Sequence, residues 1–142
     1  MTMAVTVSWD GGVSFKAQSS TGHTVCMDGP QQQGGQDKGV RPMELLLCGM
    51  GGCTAFDIMT ILHKARQDVV HCVAKITAER ADTVPAVFTK IHIHFVVSGR
   101  QLVEKVVARA IHLSAEQYCF ASIMLARAGV QLSHDFAIVP VE

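Results

Sequence analysis

Alternating apolar and polar positions mark the first forty residues as a series of short strands. Residues 5–9, 13–19 and 23–28 have this β-like alternation, and glycine-containing segments separate them. Glycine supplies the backbone conformations that tight turns need, so the spacing predicts an antiparallel meander. Residues 29–40, rich in Gly and Gln, predict a loop. That loop is either a plain connector or a flap near an active site.

One long helix is predicted from Pro42 to Ala65. Pro42 suits a first helical turn, and the residues after it are apolar on most sides, so the helix must be buried. Its glycines at 49, 51 and 52 each cost about 1 kcal/mol relative to alanine in a helix interior. Their clustering indicates that another backbone approaches closely there, and a second copy of this helix is the natural candidate.

The second half of the chain returns to strands and then to helices. Residues 72–80 and 87–97 alternate as paired strands do, residues 102–111 have a helical pattern, and residues 131–139 form a last strand. Ser114, with Gln117 three residues later, predicts a capping box that begins a further helix ending at Gly129. The order βββ-α-ββ-αα-β is a mixed α+β fold. No repeat divides the chain, so we expect a single domain over residues 1–142.

Composition narrows the classes of function. The 142 residues are 49% apolar and only 17% charged, which leaves apolar surface for a partner subunit. Lys+Arg and Asp+Glu both number 12, so no basic patch favours nucleic acid or an anionic membrane. The N-terminus lacks a signal-peptide pattern, and the longest uncharged apolar run is about half a membrane span. We expect a soluble, cytoplasmic protein that binds neither nucleic acid nor membrane.

The five cysteines form no CxxC motif, so neither a zinc ribbon nor a thioredoxin-like site is supported. In a reducing compartment they are thiols, and any disulfide is transient and functional. Cys48 and Cys53 cannot pair on one straight helix, because their Cα atoms lie about 8–9 Å apart and point away from each other. We interpret Cys48, together with Cys26 and Cys72 in strands, as core residues.

Cys53 and Cys119 have the more distinctive surroundings. Cys53 directly follows two glycines in the apolar helix. Cys119 falls in the second turn of the helix predicted to begin at Ser114, where the helix dipole lowers a thiol pKa modestly. Glu44, in the first turn of the central helix, either complements the helix dipole or orients a basic group or a peroxide.

Two histidines on one strand face, His92 and His94, resemble half a metal site. No third ligand of matching spacing follows them, so we interpret this face as ordinary sheet surface. The sequence predicts no metal and no cofactor.

The run Arg41-Pro42-Met43-Glu44-Leu45-Leu46-Leu47-Cys48-Gly49-Met50-Gly51-Gly52-Cys53-Thr54 resembles the first cysteine motif of the OsmC/Ohr family, the osmotically inducible and organic hydroperoxide resistance proteins. Tyr118-Cys119-Phe120-Ala121-Ser122 resembles the second motif of that family. The resemblance extends from about Val5 to the C-terminus and is greatest to the shorter YhfA-like branch.

This resemblance implies an OsmC-like intertwined homodimer, with its central helices packed between β-sheets and its active sites at the subunit interface. It also implies a thiol peroxidase without a cofactor. Cys53 attacks an organic hydroperoxide and becomes a sulfenic acid, and Cys119 resolves that acid as a disulfide. A dithiol reductant, such as a lipoylated protein, or a small thiol then reopens the disulfide.

Two positions depart from the family pattern. The peroxidase members use an N-terminal Arg beside a glycine-rich turn, where this chain has Trp9-Asp10-Gly11-Gly12. Their Glu lies ten residues before the first Cys, where this chain has Met43. Glu44 matches the neighbouring family position instead. Two interpretations follow: either peroxidase activity is weak in this chain, or Arg41 replaces the missing cation from the other side of the site.

Other functions remain open at this stage. The first alternative is a non-catalytic redox-sensing or small-molecule-binding dimer that keeps the cysteines, and the second treats Cys53 and Cys119 as packing residues. A Cys–His hydrolase has little support, although His63 or His112 could approach Cys53 in three dimensions.

Overall fold

A computed structural model describes residues 2–142 and has the predicted α+β element order. Its strands are β1 (Val5–Trp9), β2 (Ser14–Ser19), β3 (Thr24–Asp28), β4 (Asp68–Arg80), β5 (Phe88–Arg100) and β6 (Gln131–Pro140). Its helices are α1 (Pro42–Lys64), α2 (Glu104–Leu113) and α3 (Phe120–Arg127), with a 3₁₀ turn at Gln31–Gln33 and a π-helical turn at Ser114–Tyr118. The chain forms two compact units, Met1–Cys48 and Gly49–Glu142. The prediction of one domain over residues 1–142 stays a prediction.

The first unit contains the predicted antiparallel meander, in the order β1-β2-β3. At the turn between β1 and β2, Gly11 and Gly12 adopt φ of 88° and 53°, values that favour glycine. The Trp9 indole N–H donates to the Gly12 carbonyl at 2.9 Å and closes this turn. Every residue of β1 is exposed in the single chain.

The loop after β3 is organised by one carboxylate. Asp28 is buried and accepts backbone N–H bonds from Gly29, Gln36 and Lys38 at 2.9, 2.9 and 3.1 Å. The N–H groups of Gln36 and Lys38 lower the pKa of Asp28 from 3.8 to about 2; burial opposes this, and smaller hydrogen bonds from Ser14 and Gly29 add to it. The loop is therefore tied back onto the end of β3.

The second unit contains the sheet β4-β5-β6, in which β4 and β5 are antiparallel and β5 and β6 are parallel. Alternate residues of β5 are buried: Ile91, Ile93, Phe95 and Val97. The core also contains apolar residues of α1 and α2: Met50, Ile58, Leu62, Val107, Ala110 and Ile111. Alternation in β5 and helical spacing in α1 and α2 explain which residues are buried.

One predicted boundary is wrong and bears on function. Ser114 does not cap a new helix, because its backbone continues α2 with φ −64° and ψ −52°. Its buried hydroxyl instead donates to the Thr54 carbonyl at 2.9 Å. The following π-helical turn ends at Cys119, whose extended backbone (φ −74°, ψ 107°) caps α3.

The glycines of α1 differ in their surroundings. A Cβ at Gly51 would meet Ile76 Cδ1 of the same chain at 2.7 Å, whereas a Cβ at Gly49 or Gly52 would meet nothing within 4 Å. The close approach at Gly51 therefore involves a side chain of β4 and not another backbone.

By length and composition alone, α1 could cross a bilayer. The central helix of a folded domain meets the same criteria, and the residues of α1 listed above contribute to the core of the second unit.

Candidate active site

Cys119 lies at the N-terminus of α3 and is fully buried. Its Sγ accepts hydrogen bonds from the backbone N–H of Ser122 at 3.4 Å and from the Ser122 hydroxyl at 3.2 Å. As the N-cap residue, Cys119 thus places its sulfur where Ser, Asp or Asn normally places an oxygen. The arrangement suits a thiolate, since both of these donors point at sulfur.

Thr54 contributes a third polar contact to the same sulfur. Its Oγ1 lies 3.1 Å from Cys119 Sγ and 2.9 Å from the Met50 carbonyl, to which the hydroxyl donates. One hydroxyl proton cannot serve both neighbours. When Cys119 is a thiol, its S–H can donate to Thr54 Oγ1; when it is a thiolate, the Thr54 hydroxyl can turn and donate to sulfur.

These contacts make Cys119 acidic. Burial raises the pKa of the Cys119 thiol, but the Ser122 hydroxyl, Thr54, the Ser122 N–H and Cys53 together outweigh it, and the pKa lies below its ordinary value of 9.0. Hydrogen bonds to a thiolate stabilise the charged form more than the neutral one, which is the physical cause.

Cys53 adjoins Cys119, and its pKa shifts in the opposite direction. Burial raises the pKa of Cys53, and the neighbouring Cys119 raises it further, because two adjacent thiolates would repel each other. The backbone N–H groups of Ala121 and Phe120, in the first turn of α3, partly offset this rise. The pair therefore has one acidic buried thiol and one less acidic, partly accessible thiol.

An apolar groove of about 470 Å³ adjoins this helix start. Its lining includes Phe56, one turn beyond Cys53 on α1, and Tyr118 and Phe120 on either side of Cys119. Asp57 also lines the groove, and its Oδ2 is buried without a hydrogen-bond partner among residues 2–142. The groove thus combines aromatic walls with one carboxylate.

Arg41 and Glu44 lie in the first unit, where both have local structural contacts. Glu44 Oε1 accepts the backbone N–H of Arg41 at 2.9 Å, which is half of a capping box at the start of α1. The Arg41 guanidinium donates to the Gly39 carbonyl at 3.4 Å. Both residues line an open cleft of about 640 Å³ together with residues 37–40.

The other cysteines differ from the sequence interpretation. Cys26 and Cys48 are exposed in the single chain, so their interpretation as core residues is wrong. Both follow the apolar pattern of their elements, but each lies on an exposed face within the described residues 2–142. Cys72 is partly buried, and burial raises its pKa.

The two histidines of β5 have a third neighbour that their spacing could not reveal. His92 Nε2 and His94 Nδ1 both lie 2.8 Å from Asp135 Oδ1, and His92 Nδ1 lies 2.7 Å from the Ser133 hydroxyl. Asp135 comes from β6, which pairs with β5 in parallel. The two imidazoles lower the pKa of Asp135 through these hydrogen bonds.

The sequence matches the OsmC-like protein family over residues 35–135. The chain belongs to the OsmC-like family. It is 44% identical over 137 residues to Protein YhfA of Escherichia coli strain K12, an alignment that covers 96% of this chain and 98% of that protein.

Solved structures share the fold of this OsmC-like chain. A hypothetical protein from Aquifex aeolicus is similar with a TM-score of 0.87 and 27% identity, covering 100% of this chain and 99% of that one. An organic hydroperoxide resistance protein OsmC from Legionella pneumophila has a TM-score of 0.73 at 15% identity, covering 96% and 97%. At that identity the likeness shows the fold alone.

Sequence reasoning missed Thr54 and Ser122 as neighbours of the Cys119 sulfur. For Ser122 a signal was present, since a residue three positions after an N-cap presents its N–H to the cap. For Thr54 none was available, because its contact joins α1 to residues more than sixty positions away.

Proposed function

We propose that this OsmC-like protein is a thiol-dependent peroxidase that reduces organic hydroperoxides through Cys53 and Cys119. The single observation that carries the proposal is the adjacency of these two thiols, with opposite shifts in pKa, at the start of α3. The names of the Legionella protein and of OhrB from Bacillus subtilis, both organic hydroperoxide resistance proteins of the same fold, point the same way.

The proposed roles follow from access and acidity. Cys53 is partly accessible and meets the peroxide, whereas Cys119 is fully buried and cannot. Cys119 is the more acidic thiol, which suits the resolving step, because attack on the neighbouring sulfenic acid needs a thiolate. The raised pKa of Cys53 makes peroxide attack the pH-sensitive step.

The proposed reaction has three steps: attack on the peroxide, disulfide formation and reduction of the disulfide. The Cys53 thiolate attacks one oxygen of ROOH, the O–O bond breaks, and the RO⁻ that leaves takes a proton to give ROH. Cys53 is then a sulfenic acid. The Cys119 thiolate attacks its sulfur, an S–S bond forms, and hydroxide leaves and is protonated to water. A dithiol reductant, such as a lipoylated protein, supplies two electrons to restore both thiols and becomes a disulfide itself.

The groove lined by Phe56, Tyr118 and Phe120 is the proposed seat of the alkyl or aryl group of the substrate. Aromatic walls bury apolar surface at about 25 cal/mol per Å². This term favours a bulky hydroperoxide over hydrogen peroxide.

Arg41 and Glu44 are proposed to take part as cation and carboxylate, as the family resemblance implies. Their capping contacts mean that Ala variants would disturb the start of α1, so conservative variants are the informative ones. Glu44→Gln keeps an oxygen acceptor for the Arg41 N–H and removes only the charge. A loss of peroxidase rate in Glu44→Gln with unchanged helical content supports a catalytic role, and an unchanged rate assigns Glu44 to capping alone.

We propose that the protein acts in the cytoplasm as an intertwined homodimer. Supporting this, large apolar side chains of the second unit are exposed in the single chain, among them Phe56 at 72%, Phe120 at 77% and Met124 at 69%. Contiguous apolar surface of this kind marks an interface. Light scattering coupled to gel filtration tests the assembly, and a monomer at the chain mass of 15.3 kDa overturns it.

A second candidate function, a non-catalytic redox sensor, is favoured by one observation. The pKa of Cys53 is raised, so little of it is thiolate at neutral pH, and slow oxidation suits a sensor better than a peroxidase. Turnover separates the two: a peroxidase consumes many equivalents of hydroperoxide when dithiol is present, and a sensor consumes one.

The deciding experiment is stopped-flow consumption of cumene hydroperoxide by the purified protein with dihydrolipoamide. The proposal expects multiple turnovers, complete loss of turnover in Cys53→Ser, and little change in Cys48→Ser, which alters an exposed cysteine on the same helix. Equal losses in both variants would show that the effect on α1 is structural and would contradict the proposed role of Cys53.

A further inference from the structure

Three side chains with metal-ligating atoms converge on the second unit away from the cysteine pair. His112 comes from the last turn of α2, Glu116 from the π-helical turn, and His134 from β6. One ligand atom from each side chain lies within 4.8 Å of the other two. Glu116 lies four positions after His112, a spacing that puts both on one helical face, and the strand β6 brings His134 to them.

None of these three side chains has another evident task. In the described part of the chain, none of them takes part in a hydrogen bond or ion pair, in contrast to His92 and His94, which are held by Asp135. His134 is the more unusual of the three. It lies on the half-buried face of β6 with Leu132 and Phe136, where alternation would place an apolar residue.

The geometry points to a binding site for a divalent transition metal ion, with His112, Glu116 and His134 as its three protein ligands. Two imidazoles and one carboxylate are a ligand set typical of zinc, and they leave coordination positions open for water. Around a tetrahedral ion with bonds of about 2.0–2.1 Å, ligand atoms lie roughly 3.4 Å apart. Any pair of ligand atoms at the 4.8 Å limit therefore has to approach by about 1.4 Å. His112 and Glu116 are exposed and can rotate to do so.

This site has a structural consequence for the cysteine pair. Glu116 lies in the π-helical turn Ser114–Tyr118, which leads directly into Cys119. An ion that joins this turn to β6 fixes the segment that positions the cap of α3. π-Helical turns are rare and occur often at functional sites, in keeping with a ligand at this one.

Titration of the full-length reduced protein with Zn²⁺ by isothermal calorimetry tests the site. We expect one ion per chain, and an affinity at least about tenfold weaker in each of His112→Gln, Glu116→Gln and His134→Gln. Glu116 is exposed, so its variant folds irrespective of metal. His92→Gln, which alters a histidine of the same sheet held by Asp135, is the matched control and should bind Zn²⁺ within about twofold of the parent protein.

Co²⁺ identifies the ligands, because the five cysteines could bind the ion instead. Thiolate ligands give an intense sulfur-to-cobalt charge-transfer band in the near ultraviolet, and imidazole and carboxylate ligands do not. The site predicts d–d absorption without that band, lost in His134→Gln. No binding by the parent protein, undiminished binding in all three variants, or a sulfur-to-cobalt band would each overturn the site. The peroxidase proposal is unaffected by any of these outcomes.

Discussion

The hydroxyl of Thr54 lies 3.1 Å from the sulfur of Cys119, and Thr54 is the residue that directly follows Cys53. One turn of α1 thus carries both the proposed attacking thiol and a hydrogen-bonding group for the proposed resolving thiol. The same hydroxyl contacts the Met50 carbonyl, so the charge of Cys119 decides whether it donates to that carbonyl or to the sulfur. Thr54 is therefore a positioning residue for the second step of the proposed reaction.

Thr54→Val tests this relationship. The substitution keeps the shape and removes the hydroxyl, so the Cys119 thiolate loses one donor and its pKa rises by about one unit, given about 1.5 kcal/mol for a hydrogen bond to a charged group. The pH dependence of thiolate absorbance measures the midpoint in a background where Cys26, Cys48, Cys53 and Cys72 are all replaced by serine, so that Cys119 is the one thiol that titrates. Thr60→Val is the control, because Thr60 makes the same type of bond to a helix carbonyl (Phe56) but on the exposed side. Equal midpoints in the two variants would contradict the proposed role of Thr54 as a donor to the Cys119 thiolate.

Cys119→Ser should lower the pKa of Cys53. Cys119 raises that pKa because two adjacent thiolates would repel each other, and serine stays neutral over the whole range. The midpoint of Cys53 alkylation by iodoacetamide should therefore move to lower pH. Cys72→Ser is the control, because Cys72 is not among the groups that shift the pKa of Cys53, and this variant should leave the midpoint unchanged. A midpoint that rises in Cys119→Ser contradicts the coupling.

The elements of this fold follow closely from sequence, and the exceptions have a common cause. Hydrophobic alternation located β1, β2 and β3 within a residue, and Pro42 marked the start of α1. The segment before Cys119 was predicted wrongly, because Ser114 looked like a local cap. Its hydroxyl instead donates to the carbonyl of Thr54, sixty residues earlier. A local motif cannot reveal that its side chain has a distant partner.

Ser114→Ala should reduce the free energy of unfolding by about 1 kcal/mol, and by up to about 3 kcal/mol if the buried carbonyl of Thr54 is left without compensation. The hydroxyl of Ser114 is fully buried, and its bond joins the π-helical turn to α1. Urea denaturation at neutral pH measures the change. Ser133→Ala removes an exposed serine hydroxyl, bonded to His92, and should change stability by less than about 0.5 kcal/mol. Comparable losses in the two would argue against a special role for Ser114.

Asp28→Asn should change how stability depends on acid pH. The pKa of Asp28 is about 2 in the folded protein, below its ordinary value of 3.8, so its carboxylate stabilises the fold fully above about pH 4. That contribution is lost as the pH falls from about 4 towards 2. The stability difference between parent and Asp28→Asn should shrink over this window, measured by urea denaturation at each pH. A constant difference would mean that the loop bonds do not depend on the charge. Asp37→Asn, at an exposed position of the same loop, is the control.

The candidate site was predictable in part. Resemblance to family motifs singled out Cys53 and Cys119, and the structure makes them neighbours. The sequence predicted only a modest lowering of the Cys119 pKa by a helix dipole. The hydrogen bonds from Ser122 and Thr54 that lower it, and the burial that raises the pKa of Cys53, could not be predicted, because only the folded chain brings these groups together. Likewise, the fold brings His134 of β6 to His112 and Glu116. Neither the helical spacing of His112 and Glu116 nor the strand pattern around His134 alone indicates a metal site.

Peptide mapping by mass spectrometry after oxidation directly tests whether Cys53 and Cys119 form a redox pair. The reduced protein is treated with one equivalent of cumene hydroperoxide, alkylated and digested under non-reducing conditions. We expect the Cys53 and Cys119 peptides to be joined by a disulfide within one chain, with Cys26, Cys48 and Cys72 alkylated. In Cys119→Ser we expect a sulfenic acid on Cys53 that dimedone traps. A disulfide that includes Cys26, Cys48 or Cys72, or oxidation that leaves Cys53 alkylated, would contradict this pairing.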